Sequence, residues 1–334
     1  MARAPSPLSD GLIDWFSKHH LKPPSSQHPI VLAVSGGADS MAMAHLFRDA
    51  FGAETCHVST IDHGLRHGSY AEARWTLSQL QAAGFKVSLD PLSLAGEDGN
   101  TQALARQARY AALLKTATSV GASLIAVAQT LDDQAETVLA RLARSSGTKG
   151  LSGMRAVSKV PSGENQEVSL IRPLLGIRRE ALRSYLIDRQ VRWAEDPSNR
   201  KTAYDRIRFR ALLKTWEEMG FAPYRIAATA EHLQRSDAAL DALADDALNA
   251  LELEHTQCGF VFSQHAFASL HTDTQLRVLQ TLLQRVGSRK NAVRWEKLER
   301  ARLAIISDEP STFTLHTVIV SVDQHRVTMR PEKG

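Results

Sequence analysis

Residues 30–47 read Ile-Val-Leu-Ala-Val-Ser-Gly-Gly-Ala-Asp-Ser-Met-Ala-Met-Ala-His-Leu-Phe, two apolar runs joined by a glycine turn. The first run predicts a buried strand, and the second predicts a helix. Gly36 and Gly37 leave backbone N–H groups uncovered by side chains. The helix directs its own unpaired N–H groups and the positive end of its dipole towards the same point. This geometry predicts an anion site that suits a chain of phosphates.

The turn matches neither of two other phosphate-binding loops, G-x-x-x-x-G-K-[ST] and G-x-G-x-x-G. Asp39 stands where the first of these motifs has its lysine, so a metal ion would have to join this carboxylate to the phosphates. An ordinary strand-to-helix turn with Ser40 as its N-cap is the alternative. The turn instead resembles the loop of the PP-loop ATP pyrophosphatases, which split ATP between its α and β phosphates. The resemblance implies that ATP is bound by six residues, Ser35, Gly36, Gly37, Ala38, Asp39 and Ser40.

Composition sets broad limits on the class of protein. The chain has 334 residues, of which 43% are hydrophobic and 23% charged, as in globular proteins that are soluble in water. Its two cysteines, Cys56 and Cys258, are typical of a reducing compartment and exclude a cysteine zinc ribbon or iron–sulfur cluster within the chain. Neither a secretory leader nor a run of about 20 apolar residues is visible. We therefore expect a cytoplasmic protein with no membrane partner.

The order of predicted elements indicates an α/β fold. Strands alternate with helices up to about Leu142, which predicts a parallel twisted sheet with helices on both faces. The four predicted strands of this region are Ile30–Val34, Cys56–Ile61, Phe85–Leu89 and Leu124–Ala128. Ligands of such sheets lie at the carboxyl ends of the strands, where the glycine turn falls. Composition changes near residues 217–224, so we predict a catalytic domain over 1–218 and a smaller helical C-terminal domain over 219–334. The second domain is expected to end in a β-hairpin with strands at Phe313–Val322 and His325–Arg330.

Three acidic residues begin the helix that follows the fourth predicted strand. Asp132, Asp133 and Glu136 fall within its first turn and a half, where the helix dipole by itself favours acidic residues. Beside a phosphate loop, three carboxylates repel ATP unless a cation intervenes. We therefore predict that a magnesium ion or a cationic substrate binds beside these acids.

Basic residues supply candidate contacts to nucleic acid. Arg106 and Arg109 lie one turn apart beside Tyr110, an arrangement that suits a phosphate and a base but is also common on helix surfaces. Residues 141–159 carry five Lys or Arg, among them Lys149, and no acid; residues 172–210 carry eleven Lys or Arg against five acids. Localised positive charge favours a polyanionic partner, with a solvated surface as the alternative.

Together these motifs resemble the tRNA(Ile)-lysidine synthase family, although Gln129 stands where a histidine is usual. The resemblance implies a ligase that uses ATP to adenylate the wobble cytidine of a tRNA(Ile) with a CAU anticodon, after which free L-lysine displaces AMP. It implies catalytic roles for Asp39, Asp133, Glu136 and Arg109. Asp39 and Asp133 are expected to hold Mg²⁺, and Asp133 and Glu136 are also expected to face the lysine. The matching segments, over about residues 30–210, are Ser35–Ser40, Asp62–Arg66, Asn100 with Arg106–Tyr110, Leu131–Thr137, Gly150–Met154, Arg172–Leu175, Glu195–Asn199 and Tyr204–Arg206.

The same resemblance implies further substrate contacts. Arg66 is expected at the ATP site. In the C-terminal domain, a predicted helix that carries Lys290, Arg294, Lys297 and Arg300 is expected to contact tRNA, with a solvated surface as the alternative. Nothing in the sequence fixes the oligomeric state, and a homodimer is left open. The expected tRNA-binding residues of the first domain are Arg106, Lys149, Arg206 and Arg208.

Three other functions compete with this interpretation. A tRNA 2-thiolation enzyme would need catalytic cysteines or a cluster. A PP-loop synthetase acting on a small molecule would have no use for the positive charge of residues 172–210. An RNA-binding protein without activity would not need Asp39, Asp133 and Glu136 around a phosphate loop.

Overall fold

The computed structural model describes residues 6–62, 68–91, 101–144, 147–161, 167–195, 209, 212–213, 215–256, 259–288, 293–307 and 309–332. The chain divides into two compact units, Met1–His232 and Leu233–Gly334. The division into domains over 1–218 and 219–334 stays a prediction. Within these described ranges, no helix combines the length and the apolar character that a membrane crossing requires.

A mostly parallel sheet forms the centre of the first unit. Its strands are β1 (Ile30–Ala33), β2 (Cys56–Asp62), β3 (Lys86–Pro91), β4 (Leu124–Val127), β5 (Val157–Pro161) and β6 (Glu167–Ile171). The order is β3-β2-β1-β4-β6-β5, and all pairs except the antiparallel β5–β6 pair are parallel. The predicted parallel sheet is confirmed. Because β1 lies between β2 and β4, the carboxyl ends of these three strands meet at one edge of the sheet.

Helices cover both faces of this sheet, as predicted. They are α1 (Pro7–Lys18), α2 (Ala38–Phe51), α3 (Ser69–Ala82), α4 (Thr101–Val120), α5 (Leu131–Leu142), α6 (Thr148–Leu151) and α7 (Arg179–Asp188). Successive strand residues point to opposite faces. Ile30 and Leu32 therefore share a core with residues of α1, α2 and α7, whereas Val31 shares a second core with Leu113 of α4.

The second unit contains an antiparallel sheet and helices. The boundary between the units falls within the long helix α8 (Pro223–Ala250). After it come β7 (Glu254–Thr256), β8 (Gly259–Ser263), α9 (Gln264–Ala268), α10 (Thr272–Val286), α11 (Trp295–Ile306), β9 (Ser311–Leu315), β10 (Val318–Asp323) and β11 (Arg326–Pro331). The sheet order is β7-β8-β11-β10-β9. The predicted terminal hairpin is confirmed, since β10 and β11 pair across Gln324 and His325. A single strand over Phe313–Val322 was wrong, because His316 and Thr317 adopt positive φ and turn the chain between β9 and β10.

Candidate functional site

The predicted phosphate turn lies between β1 and α2. Gly37 is the N-cap of α2, and no described side chain caps the first N–H groups of this helix. The alternative, with Ser40 as the N-cap, was wrong: the Ser40 hydroxyl donates to the Gly37 carbonyl at 2.9 Å and accepts from the Ser35 N–H at 3.2 Å. The hydroxyl thus ties the two ends of the turn together and leaves the first amides of α2 for an anion.

Gly36 fixes the shape of this turn. Its φ is +88°, and a Cβ at this position would stand 2.3 Å from the hydroxyl oxygen of Thr76 on α3. On its other side, the Gly36 carbonyl accepts a hydrogen bond from the Ala194 N–H at 2.8 Å. Only glycine combines this backbone conformation with so close an approach of a buried neighbour.

The start of α5 positions Asp133 through a capping box. Thr130 is the N-cap, and its hydroxyl oxygen accepts from the Asp133 N–H at 3.3 Å. In return, Asp133 Oδ2 accepts from the Thr130 N–H at 2.9 Å and from its hydroxyl at 2.8 Å. The helix cap therefore fixes the carboxylate at the carboxyl end of β4, one strand away from the phosphate turn.

Sequence reasoning missed Arg179, the first residue of α7, which binds all three predicted catalytic acids. Its guanidinium lies 3.1 Å (Nε) from Asp39 Oδ2, 2.7 Å (Nη2) from Asp133 Oδ1 and 3.7 Å (Nη1) from Glu136 Oε1. Burial opposes the charge of Arg179, yet Asp133, Asp39 and Glu136 together raise its pKa. The mutual repulsion of these acids is thus relieved by a side chain of the protein itself.

Asp132 has a different task from its neighbour. Its Oδ2 accepts from the Arg179 N–H at 2.8 Å and its Oδ1 from Arg178 Nε at 3.2 Å. Asp132 thereby caps the start of α7 and holds it against the start of α5. The N-termini of α2, α5 and α7 consequently converge beside the acids, and their dipoles favour negative charge there.

Asp39 carries the carboxylate oxygen best suited to a metal ion. Its Oδ1 is buried and accepts no hydrogen bond from any residue that the structure describes. Burial raises the pKa of Asp39, although Arg179 partly opposes this shift. Mg²⁺ prefers carboxylate oxygens, so Asp39 fits this ion. Both oxygens of Asp133 already accept hydrogen bonds, and the described residues contain no group of three or more metal-ligating side chains.

A cavity of about 630 Å³ opens at this edge of the sheet and extends from the turn to α4. Its lining includes Arg109, Tyr110 and Gln129, and Arg106 donates to the Tyr110 hydroxyl at 3.1 Å. The side-chain oxygen Oε1 of Gln129 accepts a hydrogen bond from Arg172 Nε at 2.5 Å, which fixes the orientation of the Gln129 side-chain amide. The cavity is within the usual size range of ligand sites, and its lining contains both acids and arginines.

The cavity brings together most of the predicted site residues that the structure describes. Gly36 lies within the turn beside it, and Glu136 reaches it through Arg179. Lys149 belongs to α6 and is exposed. Arg66, Arg206 and Arg208 lie outside the described residues. The predicted residues that line the cavity are Ser35, Gly37, Ala38, Asp39, Ser40, Arg106, Arg109 and Asp133.

Comparison with known proteins gives the family. Residues 15–216 match a family model described as a PP-loop domain. A tRNA(Ile)-lysidine synthase from Bradyrhizobium sp. is 34% identical over 328 residues, which are 90% of this chain and 89% of the relative. The chain belongs to the tRNA(Ile)-lysidine synthase family. Family members from Ruegeria pomeroyi and Novosphingobium aromaticivorans are both 42% identical, over 67% and 64% of this chain, and the match spans 53% and 63% of their own lengths.

A solved PP-loop protein shares the fold with this member of the tRNA(Ile)-lysidine synthase family. The U34-tRNA thiolase NcsA from Methanococcus maripaludis, with its [4Fe-4S] cluster, gives a TM-score of 0.55 at 15% identity over 68% of this chain and 78% of the thiolase. At this identity the likeness concerns the fold alone. The described cysteine, Cys56, is buried, and burial raises the pKa of its thiol to about 12. A thiol in this state is a poor nucleophile.

Proposed function

We propose that this protein is an ATP-dependent ligase that joins L-lysine to C2 of the wobble cytidine in a tRNA(Ile) with a CAU anticodon. One observation carries the proposal: in a chain of this family, a single cavity joins an uncapped helix N-terminus to Arg109 and Tyr110. The helix end suits a triphosphate, and the arginine with its aromatic neighbour suits a phosphate and a base.

The proposed reaction has two steps. In the first, the cytidine O2 attacks the α-phosphorus of ATP, the bond to the bridging oxygen of the β-phosphate breaks, and pyrophosphate leaves. In the second, the ε-amine of lysine attacks C2, AMP leaves with the former O2, and the amine releases a proton. Positioning and charge neutralisation supply most of the rate in reactions of this type.

The start of α2 and Arg109 each have a role in the first step. The amides at the start of α2 bind the departing pyrophosphate, and Arg109 orients the cytidine and its adenylate. Asp39 would hold Mg²⁺ through Oδ1, which accepts no hydrogen bond from the described residues. When bound, this ion supplies neutralisation of the charge on the phosphates.

The second step needs acids near the entering lysine. A free lysine amine has a pKa of about 10.4, so it must lose a proton near neutral pH before it attacks C2. Asp133 and Glu136 supply the negative charge that attracts the ammonium group, and one of these carboxylates accepts its proton. Glu136 is buried, so its charge acts through a medium of low dielectric constant.

Contacts to the body of the tRNA are proposed for both units. Arg106 and Lys149 are exposed in the first unit. In the second unit, Lys297 and Arg300 of α11 and its N-cap residue Arg294 are exposed. Trp295 on the same helix is 57% exposed and offers a ring on which a base can stack. The proposed domains remain 1–218 and 219–334, and the proposed compartment is the cytoplasm.

Mass spectrometry of a tRNA(Ile) transcript tests the proposal. The transcript is incubated with ATP, Mg²⁺ and lysine, and each component is omitted in turn. We expect a mass gain of one lysine, less one water, at the wobble cytidine only in the complete mixture. Asp133→Asn keeps an oxygen for the helix cap but removes the charge, and should abolish the product; Asp10→Asn, an exposed acid on α1, is the control.

Three results would contradict the proposal. They are a lysine adduct that forms without ATP, a normal yield from Asp133→Asn, and a gain of sulfur in place of lysine when a sulfur donor is supplied. The last result would favour the thiolation enzyme.

A further inference from the structure

Arg179 forms ion pairs with three acids of the candidate site. Its guanidinium donates to Asp39 Oδ2 and Asp133 Oδ1 and lies within ion-pair distance of Glu136. The fork geometry of arginine lets one side chain bridge several carboxylates, which the ammonium of lysine does less well. The arginine side chain is itself only 22% exposed, so solvent screens these ion pairs weakly.

Arg179 and a divalent cation would share the same carboxylates. Of the four oxygens of Asp39 and Asp133, the guanidinium binds one on each residue, and the helix cap at Thr130 takes another. Asp39 Oδ1 is left. A metal ion that binds Asp39 therefore approaches the guanidinium closely, and like charges at this distance repel.

We propose that Arg179 is a positioning residue that acts as a built-in counter-cation, which allows ATP to bind before Mg²⁺ does. In the nucleotide-free protein its positive charge offsets part of the negative charge of the three acids, so an incoming triphosphate meets less repulsion. Without Arg179, Asp39, Asp133 and Glu136 would repel ATP more strongly until a metal ion offset their charge. The inference rests on the proposed ATP site and adds an order of binding to it.

ATP binding with and without Mg²⁺ tests this role in the full-length protein. Affinity is measured by isothermal titration calorimetry in EDTA and again in excess Mg²⁺. For Arg179→Gln we expect a loss of roughly ten- to a hundredfold in EDTA, the range for one charge-assisted interaction, and recovery to within about threefold of the parent in Mg²⁺. Arg179→Lys keeps the positive charge but lacks the guanidinium fork, so its ATP affinity in EDTA should lie between those of Arg179→Gln and the parent.

The control is Arg225→Ala, which removes an exposed arginine whose described contact is its neighbour Tyr224. It should match the parent protein in both buffers. Thermal unfolding of each variant shows whether it is folded at the temperature of the titration. If Arg179→Gln is unfolded there, the test is made with Arg179→Lys.

Two results overturn the inference. An equal loss of ATP affinity in EDTA and in Mg²⁺ would mean that Arg179 contacts the phosphates directly or only supports the fold. No loss in either buffer would mean that it does not neutralise the site. If the parent protein itself binds no ATP in either buffer, the proposed function fails instead.

Discussion

Replacing Gly36 by alanine tests how the turn between β1 and α2 is held. Gly36 has φ +88°, and an added Cβ would stand 2.3 Å from the hydroxyl oxygen of Thr76, which is fully buried. The left-handed conformation costs an L-residue roughly 1–2 kcal/mol. Overpacking a close-packed site costs about 1–3 kcal/mol. We therefore expect Gly36→Ala to lower the free energy of unfolding by about 2–5 kcal/mol.

Two companion variants separate the causes. Thr76→Ala combined with Gly36→Ala removes the clashing hydroxyl and leaves the Cβ of residue 76 at 3.4 Å, so it should recover the overpacking part only. Gly37 has φ −70°, and its added Cβ would meet only Ser35 Oγ at 3.9 Å. Gly37→Ala should therefore change stability by no more than about 1 kcal/mol. Because Gly37 lines the cavity, the same methyl group should weaken ATP binding.

Urea unfolding followed by tryptophan fluorescence measures these differences. Four of the five tryptophans, at positions 15, 75, 193 and 216, belong to the Met1–His232 unit, so the signal reports mainly on that unit. Calorimetric titration with ATP gives the second readout. The reasoning is refuted if Gly36→Ala is as stable as the parent, or if adding Thr76→Ala recovers nothing. It is also refuted if Gly37→Ala binds ATP as the parent does.

Three further predictions concern buried polar groups. Burial lowers the pKa of His45 to about 4, against 6.5 in the unfolded chain, so acidification between these values protonates only the unfolded state. The free energy of unfolding should therefore fall by up to about 3 kcal/mol between pH 7 and 4. Urea unfolding of His45→Leu should show a smaller fall over the same pH range. Gln129→Leu leaves the buried Arg172 without one hydrogen-bond acceptor and should lower the free energy of unfolding by about 1–3 kcal/mol in the same assay. Gln129→Glu keeps an acceptor, so it should keep stability but weaken ATP binding. Equal stability of the two variants would contradict this. Arg277 pairs at 2.9 Å with the fully buried Asp237, so Arg277→Met should destabilise the Leu233–Gly334 unit by about 3–5 kcal/mol in calorimetry, and an unchanged transition would refute the pairing.

The parts of the fold that depend on local sequence patterns could be predicted from the sequence. The four predicted strands of the parallel sheet and the helices between them have strong apolar runs and glycine stops, so periodicity located them. Helix α1 was missed although Ser6 and Pro7 form a capping signal at its start. The turn at His316 and Thr317 was missed because neither residue is of a type that usually marks a turn with positive φ.

The site was predicted less completely, because its decisive contact is remote in sequence. Asp39 and Asp133 closely follow predicted strands, so topology alone placed them at one edge. The role of Arg109 came from the family resemblance. Arg179 is 140 positions from Asp39, and nothing in its own segment distinguishes it from the surrounding arginines. Its selection depends on the packing of the start of α7 against the start of α5, which only the tertiary structure shows.

A crystal structure with Mg²⁺ and an ATP analogue blocked between its α and β phosphates tests most directly whether the glycine turn binds the triphosphate. We expect the β and γ phosphates to lie within hydrogen-bond distance of the backbone nitrogens of Ala38, Asp39 and Ser40. A triphosphate bound elsewhere, with this turn empty, would contradict it.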